Sequence, residues 1–264
     1  MSIPIYQVDA FTDKLFSGNP AAVVLLEGQA ETTWMQSVAR EMNLSETAFV
    51  HPQQGGYHLQ WFTPQVEVDL CGHATLASAH ILWQTGLVKA AETIRFFTRS
   101  GWLSASQRND LIEMDFHSAQ VVPVDVTEEI ITAVGARPDF TYISGDKWLF
   151  EYSEASIIRK LKPDFSALKN HTGRALSVTA PSSTPEFDFV SRYFAPWVGI
   201  DEDPVTGSAH CILGPYWAQK LGKNHLTAYQ VSARGGIVHM RISGDRTYVG
   251  GQAVTLFSGE ILSL

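Results

Sequence analysis

The sequence predicts an α+β protein made of two similar halves, each a curled β-sheet around one central helix. First, the segments Cys71–Ala74 and Thr206–Ala209 both lead through a Gly into an apolar helical stretch, and these glycines, at positions 72 and 207, lie 135 residues apart. Second, the same offset relates the Gly turns in Arg99–Leu103 and Arg234–Val238. Third, short β segments outnumber helices, which is typical of this fold class. The competing interpretation is one continuous β-rich domain with coincidental glycines.

In the first half, two helices and three strands are predicted. Apolar residues at helical spacing behind a Thr cap predict a helix over Thr32–Met42. Alternation of side chains predicts a strand over Ser45–Val50, and the Gly-led helix spans Thr75–Trp83. The runs Ile94–Thr98 and Leu111–Phe116 follow as strands.

The second half repeats this order. A helix is predicted over His210–Leu221, ended by Gly222. Strands are predicted over Gln230–Ala233, Ile237–Ile242 and Tyr248–Gly250.

The pattern breaks near His117–Asp125, where a Val-Val-Pro-Val run interrupts it. The predicted domains are therefore 1–118 and 119–264, with the last strand able to pack back on the first domain.

Composition narrows the class of protein. The chain of 264 residues has 19 basic and 27 acidic residues and a net charge of −8, the wrong sign for a nucleic-acid binder. Its longest apolar run, Ala21–Leu26, is too short to cross a membrane, and the first residues do not resemble a secretory signal. Two cysteines do not make a disulfide framework. We expect a cytoplasmic protein that binds neither nucleic acid nor membrane.

No cofactor is predicted. No Gly-x-Gly-x-x-Gly opens a helix after a strand, and there is no P-loop. A metal site formed by His73 and His80 is disfavoured because seven helical residues span about 10 Å. The sequence thus indicates no nucleotide, flavin or metal.

The two Gly-led helix starts are candidate anion sites. Gly72 with His73, and Gly207 with Ser208, would present unpaired N–H groups at the positive end of a helix. Such paired starts favour a small carboxylate ligand over simple capping. His73 could bind that carboxylate or hold a proton, or it could only cap the helix.

Glu46 is the candidate proton-transfer residue. On the predicted strand it shares an apolar face with Leu44, Ala48 and Val50, where lost hydration would raise the pKa of its carboxyl group. A carboxyl group of raised pKa suits acid–base catalysis near neutral pH. The alternative is an exposed Glu at a strand end, or one paired with Arg40.

Asp203 and Cys71 are further candidates. Pro204 favours an extended Asp203 whose side chain points away from the coming helix, where it could receive an ammonium or hydroxyl group. The alternative is a solvated acidic loop. Cys71 precedes a helix, where a thiol pKa tends to fall, so it could act as acid, base or nucleophile. Its counterpart at the 135-residue offset, Thr206, cannot exchange protons, and a small buried Cys is the simpler interpretation.

Taken together, six motifs resemble the phenazine-biosynthesis PhzF-like family. They are Asp9–Thr12, Phe16–Ala21, Asn43–Thr47, Phe62–Pro64, Cys71–Thr75 and Asp203–His210. The resemblance implies the diaminopimelate epimerase-like fold, with two similar domains, an active site between them and a homodimer. It also implies proton transfer by Glu46 and a substrate site lined by His73, Asp203, Gly207 and Ser208, with Asn19 shaping it.

The resemblance further implies a reaction type. The family's best-understood member isomerises a dihydro-hydroxyanthranilate without a cofactor. Related epimerases and racemases use a Cys directly before the Gly that starts each central helix. Here only Cys71, before Gly72, matches this pattern, because Thr206 precedes Gly207. We therefore expect a cofactor-independent isomerase acting on a small carboxylate. The alternatives are a Cys71-assisted epimerase or racemase, and a non-catalytic binding relative.

Overall fold

The computed structural model describes residues 2–262 and divides the chain into two compact units. One unit spans the chain up to Phe116 and resumes at Tyr248, and the other spans His117–Thr247. The predicted ranges placed everything after residue 118 in the second domain, with the last strand as a possible exception. In the structure the residues from Tyr248 onward belong to the first unit, because the last strand pairs with the first strand along its whole length.

The elements run in chain order as follows. Those of the first half are β1 (Ser2–Ala10), β2 (Asn19–Leu25), α1 (Thr32–Met42), β3 (Glu46–Gln53), β4 (Gly56–Phe62), β5 (Glu67–Val68), α2 (Gly72–Gln84), β6 (Ile94–Thr98), β7 (Gly101–Arg108) and β8 (Leu111–His117). Those of the second half are β9 (Val122–Pro123), α3 (Glu128–Val134), β10 (Phe140–Ser144), β11 (Lys147–Glu151), α4 (Ala155–Lys160), α5 (Phe165–Leu168), β12 (Ala175–Pro181), β13 (Phe189–Ala195), β14 (Ile200–Asp203), α6 (Gly207–Leu221), β15 (His225–Gln230), β16 (Gly236–Ser243), β17 (Arg246–Gly251) and β18 (Ala253–Leu262).

The sheet of the first unit has the order β18-β1-β2-β3-β4-β6-β7-β8. The pairs β2–β3 and β4–β6 are parallel, the other pairs whose register is described are antiparallel, and the short β5 pairs with β4. Helix α2 packs on β1, β2 and β3. Its residues from Gly72 to Ala79 are all buried, as expected for a helix that is apolar on every side and lies at the centre of its unit.

The second unit repeats most of this strand order. Its order is β9-β10-β11-β12-β13-β15-β16, in which β11–β12 and β13–β15 are the parallel pairs and the short β14 pairs with β13. Helix α6 packs on β15 and β16 and is buried along most of its length. The α+β class and the pseudo-symmetric repeat that the sequence predicts are thus confirmed.

Helix α1 covers part of the first unit's sheet. Its apolar stripe buries Met35 and Ala39 against Phe49 and Phe62, whose rings meet edge to face at 5.5 Å. Burying each such ring contributes about 2–3 kcal/mol to the free energy of unfolding. This packing holds the chain that follows α1, and therefore the start of β3, against the sheet.

Three local predictions need correction. The N-cap position of α1 is Glu31 rather than a Thr, and it makes no side-chain capping bond. Both central helices begin three residues before their predicted starts, at Gly72 and Gly207. The strand predicted over Gln230–Ala233 instead ends at Gln230, because that side chain bonds the loop before α6 and the backbone then bends away.

No helix among residues 2–262 is long and apolar enough to cross a membrane.

Candidate active site

Glu46 occupies the first position of β3, directly after the short connection from α1. Asn43 ends α1 in the left-handed conformation with φ of 50°, which lets the chain turn into the strand within three residues. In the parallel pair β2–β3, Glu46 lies opposite Ala21. Its side chain is only 13% exposed, so Glu46 is not the solvated strand end that was the alternative interpretation.

The side chain of His73 lies against the carboxylate of Glu46. His73 is the second residue of α2, and its Nε2 lies 3.3 Å from Glu46 Oε2. Burial lowers the pKa of His73 to about 3, so the imidazole is uncharged at neutral pH and the contact is not an ion pair. No acceptor among the described residues is aligned for a hydrogen bond with this buried Nε2 atom.

Asn19 contacts the other ring nitrogen of His73, Nδ1. Its amide Nδ2 donates to His73 Nδ1 at 3.2 Å, and the Ser45 hydroxyl donates to Asn19 Oδ1 at 3.2 Å. The preceding residue, Gly18, has φ of +67°, and a Cβ atom there would lie 2.2 Å from the Ala10 carbonyl oxygen. The turn that begins β2 therefore requires glycine and places Asn19 in the interior, where none of it is exposed.

Cys71 completes the group in the first unit. It lies in extended conformation just before α2 and is buried, with Sγ 3.5 Å from His73 Nδ1. Ligand atoms of Glu46, Cys71 and His73 lie within 4.8 Å of one another, which is a spacing that could hold a metal ion. The absence of a metal site therefore stays a prediction.

In the second unit, the residues before α6 form a hydrogen-bonded loop. Asp203 ends β14, and its carboxylate accepts a hydrogen bond from the Thr206 hydroxyl at the N-cap of α6. The predicted orientation of Asp203, away from the helix, is wrong, because this bond draws the side chain toward the helix start. Gly207 is buried and Ser208 half-buried in the first turn, and their roles in binding substrate stay predictions.

Gln230, the last residue of β15, bonds to this loop and was not predicted from the sequence as part of the site. It is fully buried; its Oε1 accepts from Thr206 N–H at 2.9 Å, and its Nε2 donates to the Asp203 carbonyl at 2.8 Å. The sequence likewise gives Ser45 no role beyond its place in the motif Asn43–Thr47. Neither position carries a spacing signal, because each partner comes from a distant part of the chain.

Two buried groups near the start of α6, His210 and Cys211, do not ionise near neutral pH. His210 Nδ1 lies 2.8 Å from the Thr206 carbonyl oxygen, and burial lowers the pKa of His210 to about 4. Burial raises the pKa of the Cys211 thiol to about 12, so it stays protonated. Both side chains are therefore neutral at pH 7.

The model of the phenazine biosynthesis-like protein family matches residues 8–259 of the chain. The chain belongs to this family. An uncharacterized isomerase of Halalkalibacterium halodurans is 51% identical over 263 residues, 99% of each chain. The crystal structure of a PhzF-family phenazine biosynthesis protein from Enterococcus faecalis matches with a TM-score of 0.95 and 41% identity over 100% of both chains.

The fold of the family extends to more distant proteins. A Pseudomonas aeruginosa protein named a predicted epimerase matches with a TM-score of 0.76 at 20% identity, covering 99% of this chain and 100% of that one. The chain thus shares its fold with a protein named a predicted epimerase, and the name of the Halalkalibacterium relative supports an isomerase-type function for this chain.

Proposed function

We propose that this protein is a cofactor-independent isomerase that moves a proton within a small carboxylate-bearing substrate, with Glu46 as the group that carries the proton. One observation carries the proposal. A carboxylate that is 13% exposed lies 3.3 Å from a buried, uncharged imidazole at the N-terminus of the central helix. A non-catalytic binding protein would not need a nearly buried carboxylate beside its anion site.

The start of α2 supplies the electrostatics for such a reaction. The N–H groups of the first turn, at Gly72, His73 and Ala74, are the ones that a helix leaves without intrahelical acceptors. Together with the helix dipole they favour negative charge, so they suit a substrate carboxylate and the enolate-like charge that develops when a proton leaves carbon. Binding and catalysis thus use the same helix start.

The proposed step balances without an external reagent. Glu46 removes a proton from one substrate carbon, so that a C–H bond breaks, a carboxyl O–H bond forms, and the electron pair moves into the conjugated system. Glu46 then returns the proton to a second carbon. Asp203, Gly207 and Ser208 are proposed to bind the substrate, and a homodimer remains the expected assembly.

Replacing Glu46 by Gln tests this role. Glu46→Gln keeps the shape of the side chain but removes the transferable proton, and we expect the turnover of dihydro-hydroxyanthranilate, or of an active carboxylate found by thermal-shift screening, to fall about 10³-fold. Glu41→Gln, an exposed position on α1, is the matched control and should leave turnover unchanged. Turnover by Glu46→Gln within tenfold of the wild-type rate would refute the proposal.

One observation favours a second candidate function. The Cys71 thiol lies 3.5 Å from His73 and shares its surroundings with Glu46, so a Cys71–Glu46 pair could act as the two opposing bases of an epimerase. Against this, Thr206 occupies the equivalent position in the second half and cannot take part in proton exchange.

A further inference from the structure

We infer that Ser45 and Asn19 fix the tautomer of His73, holding its ring hydrogen on Nε2 so that His73 acts as an uncharged hydrogen-bond donor beside Glu46. The inference deepens the proposed function and rests on it for the role of Glu46. Ser45 and Asn19 are then positioning residues, because both act through His73.

The direction of the hydrogen bonds carries the argument. The Asn19 amide nitrogen can only donate, and it lies 3.2 Å from His73 Nδ1, so Nδ1 must be the acceptor. An uncharged imidazole that accepts at Nδ1 carries its hydrogen on Nε2. The Ser45 hydroxyl donates to Asn19 Oδ1 at 3.2 Å, which holds the amide in the orientation that presents its nitrogen to the ring.

The position of Cys71 is compatible with the same assignment. Its Sγ lies 3.5 Å from His73 Nδ1, and a thiol facing an acceptor nitrogen donates its hydrogen. Two donors therefore converge on Nδ1, from Asn19 and from Cys71. A thiolate at Cys71 would instead require the hydrogen to lie on Nδ1, opposite the Asn19 donor.

Nε2 then has a hydrogen to give and no aligned acceptor. The His73 side chain is 5% exposed, and this nitrogen makes no hydrogen bond among residues 2–262, although Glu46 Oε2 lies 3.3 Å away. A buried donor without an acceptor is costly unless a ligand supplies one. In the proposed reaction a substrate oxygen accepts this hydrogen and is stabilised there as negative charge develops.

Because His73 is a neutral hydrogen-bond donor, His73 and Glu46 have different roles in the proposed reaction. Because the imidazole gains a proton only at low pH, it does not compete for the proton that Glu46 removes. His73 polarises the substrate and Glu46 carries the proton, so each residue has one role.

Nitrogen-15 NMR of histidine-labelled protein tests the inference without any substrate. The His73 ring signals are identified by their loss in His73→Gln. In the wild-type protein at pH 7 we expect the Nε2–H tautomer, with Nδ1 unprotonated. In Asn19→Asp the new carboxylate accepts from Nδ1–H, so we expect the hydrogen to move to Nδ1, or the ring to become protonated at a higher pH than in the wild type.

Controls separate the inference from a folding defect and from the proposed function. Asn170→Asp makes the same change at an exposed position and should leave the His73 signals unchanged. If Asn19→Asp does not fold, the wild-type spectrum still decides, because an Nδ1–H tautomer or a charged ring at pH 7 would overturn the inference. Failure of Glu46 in the turnover assay would refute the proposed function while leaving these signals as they are.

Discussion

At the scale of single residues, the positions of Glu46 and His73 depend on backbone geometry rather than on attraction between charges. Glu46 is placed by the turn after α1, and His73 by the first turn of α2. Because burial keeps His73 uncharged, their 3.3 Å contact contributes little Coulomb energy. The contact leaves the buried Nε2 atom of His73 without an aligned acceptor among residues 2–262.

Cys71 permits a prediction that separates the two candidate functions. Cys71→Ser keeps the size of the side chain but removes a group that can exchange protons near neutral pH. If Glu46 alone carries the proton, turnover should change by less than about tenfold, since the Ser hydroxyl can still donate to His73 Nδ1. Initial rates of Cys71→Ser, with Cys211→Ser as the matched control, provide the measurement.

The Cys-assisted reaction has the opposite expectation. An opposing base that is removed costs about 10²–10⁴-fold in rate. A loss of that size in Cys71→Ser alone would favour the epimerase over the isomerase proposed above.

At the scale of elements, a buried side chain, Gln230, helps to hold the loop before α6. Gln230 accepts from Thr206 N–H and donates to the Asp203 carbonyl, so it ties the end of β15 to the N-cap of the helix. This arrangement satisfies one of the N–H groups at the helix start and fixes the backbone on both sides of Pro204. Gln230 thus orders the segment that presents Asp203, Gly207 and Ser208.

Gln230→Met should destabilise the protein. The change keeps the approximate volume but leaves Thr206 N–H and the Asp203 carbonyl without this partner, which we expect to lower the free energy of unfolding by about 2–4 kcal/mol. Urea denaturation measures the effect. Gln107→Met, at an exposed position of β7, should change it by less than about 0.5 kcal/mol, and equal effects in the two variants would contradict the role given to Gln230.

The bounds of the helices and strands show which parts of the fold could be predicted from the sequence. Helix α1 is predicted with its observed bounds, because an amphipathic stripe marks every turn. The starts of α2 and α6 are missed by three residues, since their first turns are small or polar residues without apolar spacing. The end of β15 depends on Gln230 binding a loop that is distant in sequence, and no local pattern encodes that contact.

The candidate site divides in the same way. Glu46, His73 and Cys71 could be selected from residue type and place, but the Ser45–Asn19–His73 chain could not. Its members come from the ends of three elements that meet only in the folded unit. The orientation of Asp203 was wrong for a related reason, because the effect of Pro204 on the backbone does not determine where a carboxylate finds a donor.

At the scale of the whole molecule, the repeat lies in topology more than in residue identity. Each unit has two parallel strand pairs in the same places, one short strand beside its fourth long strand, and one buried central helix. The residues at the two helix starts are not repeated, because Ser208 stands at the 135-residue offset from His73. In the proposed function, the proton-transfer group, Glu46, therefore comes from the first unit alone.

Acid should destabilise the folded chain well before its carboxylates are protonated. The pKa values of His73 and His210 fall from 6.5 to about 3 and about 4 on folding, and burial also lowers those of His58, His80 and His239. Below pH 6.5 these histidines bind protons in the unfolded chain but not in the folded chain, so the free energy of unfolding decreases as the pH falls. Above pH 6.5 they are neutral in both states and do not change the free energy of unfolding.

The expected size of this effect is measurable. At pH 5, His73 and His210 should each cost about 2 kcal/mol relative to pH 8, from 1.5 pH units at about 1.4 kcal/mol per unit. Urea denaturation at pH 5 and pH 8 should show this loss, and His210→Gln should reduce it. A free energy of unfolding that is unchanged, or larger, at pH 5 would contradict the burial of these side chains as neutral groups.

The most direct measurement of the central claim is hydrogen exchange at carbon, followed by proton NMR of the substrate in heavy water. With wild-type enzyme, deuterium should enter the carbon positions between which the proton moves. With Glu46→Gln it should not, while Glu41→Gln should behave as wild type. Deuterium entering at the wild-type rate in Glu46→Gln would show that another group carries the proton.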